Sequence, residues 1–79
     1  MINTKELNAI IDSSGLKRGF ISRKVGITRA ALYNKINNKT EFTANEIAKI
    51  CSVLNINDSD KKNEIFFANY VDKKETKYQ

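Results

Sequence analysis

Leu16-Lys17-Arg18-Gly19-Phe20-Ile21-Ser22-Arg23-Lys24-Val25-Gly26-Ile27-Thr28-Arg29-Ala30-Ala31-Leu32-Tyr33-Asn34-Lys35-Ile36 is the stretch that decides the fold. Leu16, Phe20, Ile21 and Val25 fall on one side of a 3.6-residue period, which predicts a helix over about 17–25 with those four facing inward. Gly26 stops it, because glycine enters left-handed backbone without steric cost. Ile27 is the apolar residue of the turn, and the Thr28 hydroxyl can cap the helix that follows. That helix is expected to run to about residue 37, with Ala31, Leu32 and Ile36 inward. Two short helices across a three-residue turn, pinned to a core by the turn's own isoleucine, form a helix-turn-helix unit.

The flanks carry the same signature. Upstream, a helix is expected over about 4–13, capped by Asn3 with Glu6 in a capping-box-like position and Ile2 and Leu7 as a hydrophobic staple. Leu7, Ile10 and Ile11 form its stripe, and Gly15 ends it. Downstream, Asn38 is the expected left-handed residue, since Asn tolerates that geometry better than other non-glycine residues. Thr43 and Glu46 form a second capping box, with Phe42 and Ile47 as its staple. Ile47, Ile50, Cys51 and Leu54 make that helix's buried stripe, and Asn55 closes it. Asn57-Asp58-Ser59-Asp60 opens a fifth helix through about residue 67. The expected fold is all-α: a compact bundle of about five short helices over 1–67, followed by a C-terminal extension, 68–79, that is either an oligomerisation element or disordered.

Composition narrows the function. The chain has 79 residues, no His, no Trp, no Pro and one Cys. Histidine acid–base catalysis and His-containing metal sites are excluded, and one thiol makes no internal disulfide. No apolar run exceeds four residues, far short of a membrane span. The net charge of +5 is concentrated. Between Asp12 and Glu41 there is no acid, and Lys17, Arg18, Arg23, Lys24, Arg29, Lys35 and Lys39 give +7, leaving −2 for the other residues (seven bases, nine acids). A basic segment of one sign suits a polyanion partner. These features point to a cytoplasmic binding protein, with no enzymatic activity and no cofactor or metal. Cys51, on an apolar stripe, reads as a small buried hydrophobe.

The stretch from Leu16 to Lys39 resembles the helix-turn-helix of the Cro/phage-repressor, or lambda repressor-like, family of transcriptional regulators. The five-helix pattern extends the resemblance over residues 3–67, and Ile65-Phe66-Phe67 resembles the ends of short regulators from phages of Gram-positive bacteria, which suggests a phage or prophage origin. The family usually has Thr then Gln where this chain has Lys17 and Arg18, Ala at Ser22, and Gly at Asn38. Gly19 inside a helix costs about 1 kcal/mol relative to Ala.

The resemblance implies a sequence-specific regulator of double-stranded DNA, a Cro-like repressor acting at an operator. Its base-reading positions fall on Arg29, Ala30 and Asn34, with Tyr33 beside them. Arg suits guanine O6 and N7, Asn suits adenine N6 and N7, and Ala suits a thymine methyl. Phosphate contacts are expected from Lys17, Arg18, Arg23, Thr28, Asn38, Lys39 and Thr40, with Lys24 at the rim and the start of the third helix as a further phosphate site. Family logic adds a homodimer on half-sites about 34–36 Å apart. Phe66, Phe67 and Tyr70 either pack the fifth helix against the first and fourth or form a candidate partner or dimer surface, since neighbouring helical residues point about 100° apart and a short domain rarely has room to bury three adjacent aromatics. The alternative function is a repressor modulator or antirepressor that binds another repressor protein.

Overall fold

The computed structural model describes residues 1–67, so Tyr70 and the 68–79 extension lie outside the described residues. Five helices follow one another: α1 Thr4–Ser14, α2 Arg18–Val25, α3 Arg29–Ile36, α4 Ala44–Val53 and α5 Ser59–Phe66. There is no strand among the described residues. α2 packs against both α3 and α4, while α1 packs against α3 and α5. The core is drawn from every helix, with Leu7, Ile11, Ile21, Leu32, Ile50 and Ile65 fully enclosed.

The caps explain the boundaries. The Asn3 side chain accepts from the Glu6 N–H at 3.1 Å, Thr28 from Ala31 at 3.0 Å and Thr43 from Glu46 at 3.1 Å. At α4 the box is reciprocal, since Glu46 Oε1 accepts from the Thr43 N–H at 2.9 Å. At α1 it is only half made. The Glu6 carboxylate turns instead to Lys61 Nζ on α5, 3.0 Å away, and the Asn3 N–H donates to the Ile65 carbonyl at 2.7 Å. Lys17 and Thr28 stand just outside their helices as N-caps, Asn37 follows α3 as its C-cap, and α1 reaches one residue beyond the expected end. α5 ends one residue earlier than expected, at Phe66. Asp58 precedes α5 without a side-chain capping bond.

Positive φ marks the reversals at Gly15, Gly26, Asn38 and Asn55. At Gly26 the angle is +91°. There the N–H groups of Gly26 and Ile27 both return to the Ser22 carbonyl, at 2.8 and 3.0 Å. This closes α2 and swings the chain into α3.

Several core assignments differ from the sequence reading. Phe20, expected inward, is only half-buried, and Lys24 Nζ lies 5.5 Å from its ring centroid. Ser22 takes the buried position on α2, its hydroxyl donating to the Gly19 carbonyl at 2.8 Å so that no polar atom is stranded. Ala31, Ile10 and Ile47 are partly rather than fully buried. Ile56, in the loop between α4 and α5, joins the core without having been expected there. Phe66 is 4% exposed and meets Phe42 edge-on with centroids 5.8 Å apart, whereas Phe67 is 45% exposed. Burial raises the pKa of the Cys51 thiol, so the reactive thiolate is disfavoured.

Candidate nucleic-acid interface

α3 is buried along Leu32 and Ile36 and open along the arc that runs from Arg29 round to Asn34. Arg29, Ala30, Tyr33 and Asn37 are exposed there, with Asn34 half-buried. Tyr33, 60% exposed, is a large apolar group that the fold does not need. An outward helix face mixing a guanidinium, a methyl, a phenol and amides is suited to reading a surface rather than to solvation alone.

The surroundings are basic. Lys17 and Arg18 at the start of α2, together with Arg29 and Tyr33 of α3, line an open groove of about 580 Å³ whose far wall is α1. That volume would suit a small molecule, but three cations at its rim favour a polyanion over an apolar ligand. Lys39 and Thr40 are exposed just beyond α3, with Lys39 Nζ 5.7 Å from the Tyr33 ring centroid. The N–H groups of both bond back to the Asn34 carbonyl, which fixes that turn beside the exposed side of α3. Arg23 and Lys24 are exposed at the end of α2.

Gly19, a departure from the family pattern, lies directly against Arg29. A Cβ at that position would come within 3.4 Å of Arg29 Cδ. That is ordinary van der Waals contact, so the Arg29 stem lies along α2 with room for a methyl group between them.

Three residues of the acid-free window have roles inside the fold. Lys35 Nζ pairs with Glu46 Oε1 at 3.1 Å and donates to the Glu41 carbonyl at 2.9 Å, with side-chain exposures of 14% for Lys35 and 18% for Glu46. This lysine locks the end of α3 to the start of α4 and leaves the polyanion-facing set. The Thr43 N–H holds the Glu46 carboxyl below its usual pKa, assisted by Lys35 against the opposing effect of burial. The Asn38 side chain is also committed inside the fold: Oδ1 accepts from the Ile2 N–H at 2.8 Å, and Nδ2 donates to the Ile2 carbonyl at 3.0 Å and to Thr4 Oγ1 at 3.2 Å. Thr28 uses its hydroxyl as the α3 cap. No sequence signal at Asn38 announces a partner at Ile2, because the two meet only when the bundle closes.

Among the described residues no helix is long and apolar enough to cross a membrane, and no group of three His, Cys, Asp or Glu residues could hold a metal ion. No curated protein and no solved structure matches the chain. A family model does match, over residues 3–60, well over half of the chain and all of the α2–turn–α3 unit. With five described helices and a capped three-residue turn already in place, that match settles the family: the chain belongs to the Cro/C1-type helix-turn-helix DNA-binding domains.

Proposed function

We propose that this DNA-binding regulator is a repressor that reads an operator by laying α3 in the major groove. The observation that carries the reading is the α3 outer face, free of core duties at Arg29, Ala30 and Tyr33 and flanked by Lys17, Arg18 and Lys39. Arg29, Ala30, Tyr33 and Asn34 are the base-reading set. Lys17, Arg18, Arg23, Thr28, Lys39 and Thr40 are the phosphate set, Thr28 through the backbone of the α3 start. Asn38 supports the end of α3 and is not required to touch DNA.

Two side-chain deletions test this. Arg29→Ala should lower the preference for the selected site over mismatched sites, by about 1–3 kcal/mol at one base pair. Lys39→Ala should weaken all sequences alike and flatten the salt dependence by about one phosphate. Uniform loss in both variants would remove Arg29 from the base-reading set.

A second reading, as a modulator that binds another repressor, is favoured by one observation. Phe67 is 45% exposed beside Met1, itself 70% exposed, at an apolar groove lined also by Ile2, Phe42 and Ile47. The same patch would serve a homodimer.

A further inference from the structure

The groove between α1 and α3 contains an acid where a DNA-binding surface would be expected to carry none. Asp12 is the only acidic residue lining it among the described residues, facing Lys17, Arg18 and Arg29. Asp12 and Asn8 lie one turn apart on α1, and both reach the same group. Arg18 Nη2 donates to Asn8 Oδ1 at 2.8 Å and stands 3.4 Å from Asp12 Oδ1. Asn8 is half-buried, whereas the Asp12 side chain is 71% exposed and that of Arg18 is 41% exposed.

The fold has little use for this pair, since an exposed ion pair contributes little to stability. For DNA attraction alone, a carboxylate here is a handicap, because it repels phosphate. What the arrangement does provide is aim. An arginine at the first position of a helix is otherwise a long, mobile side chain. Here one terminal nitrogen is tethered to α1, and the remaining donors of the guanidinium fork stay free to face outward. A tethered fork meets a phosphate only in the register where the DNA backbone comes to it. A free one can follow phosphates in any register, which helps random DNA more than the operator.

We infer that Asn8 and Asp12 are positioning residues for sequence selectivity, holding Arg18 so that its phosphate contact is available to the operator register and withheld from random DNA. This rests on the DNA-binding reading of α2 and α3 given above.

The test uses the full 79-residue chain, as wild type, Asp12→Asn, Arg18→Gln and the double variant. Each is titrated onto the selected site and onto a random duplex of equal length, at several salt concentrations. Asp12→Asn should tighten random DNA by about two- to fivefold, the range that loss of an exposed ion pair allows. The selected site should gain less, so the ratio falls, and the random-DNA salt slope should steepen by up to about 0.9. In the Arg18→Gln background the same change should leave the ratio unaltered. Equal tightening on both DNAs would reduce Asp12 to simple repulsion and overturn the inference, as would an unchanged ratio or a full effect without Arg18. A wild-type chain with no salt-dependent DNA binding would overturn the DNA reading itself. Binding with an unmoved ratio would overturn only the positioning role. Unchanged unfolding midpoints confirm that the variants report on binding.

Discussion

Replacing Asn38 separates two contributions at one residue. Its φ is +64°, and its amide makes three hydrogen bonds that tie the N-terminal segment to the end of α3. Thr4, which accepts one of them, donates its own hydroxyl to the Ile36 carbonyl. Asn38→Gly keeps the left-handed backbone and deletes the bonds. At about 0.5–1 kcal/mol each for partly buried neutral pairs, the loss is about 1.5–3 kcal/mol. Asn38→Ala deletes the same bonds and adds a Cβ in left-handed geometry, a further 1–2 kcal/mol or so. For a domain of this size each kcal/mol moves the midpoint by roughly 4–8 °C. Thermal unfolding followed by circular dichroism should therefore rank wild type above Gly and Gly above Ala. A glycine variant as stable as wild type would show that the clamp contributes nothing. Equal glycine and alanine variants would show that the positive φ carries no cost. A glycine variant of unchanged stability that loses DNA affinity well below its midpoint would return Asn38 to the phosphate set.

Gly19→Ala should stabilise the protein by up to about 1 kcal/mol, because the position is helical and its new methyl meets only the Arg29 stem at ordinary contact distance; a lower unfolding midpoint would mean that Arg29 cannot yield. Acid titration of stability should show the Lys35–Glu46 lock. Glu46 has a lowered pKa in the fold, so its contribution is complete above the ordinary carboxylate value of 4.5 and is lost as pH falls through its lower folded pKa. Glu46→Gln should flatten that part of the urea midpoint-against-pH curve. Phe66→Ala, which removes a buried ring, should cost about 3–5 kcal/mol. Phe67→Ser should change stability by less than about 0.5 kcal/mol, and if Phe67 lies in a dimer face it should shift the sedimentation profile toward monomer.

The local grammar of the chain was readable. Asn3, Thr28 and Thr43 cap the helices they were expected to cap, and Gly15, Gly26, Asn38 and Asn55 take the left-handed turns. These are interactions within four residues, so they leave a mark at fixed spacing. What the sequence did not disclose is long-range. Lys35 counts as one of seven bases in an acid-free window, yet it is neutralised by Glu46 from beyond the window's edge. The Arg18 tether to Asn8 and Asp12 spans two helices, and the amide of Asn38 meets residues 36 positions away. Phe20 has the spacing of a core residue, but α2 turns the smaller Ser22 inward and leaves the ring under Lys24. Periodicity gives a helix a wet and a dry side; it does not say which borderline residue the neighbouring helices leave room for. The proposed base-reading role of Arg29, Ala30, Tyr33 and Asn34 rests on the family resemblance. The structure adds that three of the four are exposed on one side of α3.

The most direct test of the central claim is selection of binding sites from random-sequence duplex DNA by the full chain, repeated at two salt concentrations. The account predicts one enriched motif, carrying guanine or adenine contacts suited to Arg29 and Asn34, with affinity that falls steeply as salt rises. Weak binding that enriches no sequence at either salt concentration would contradict it.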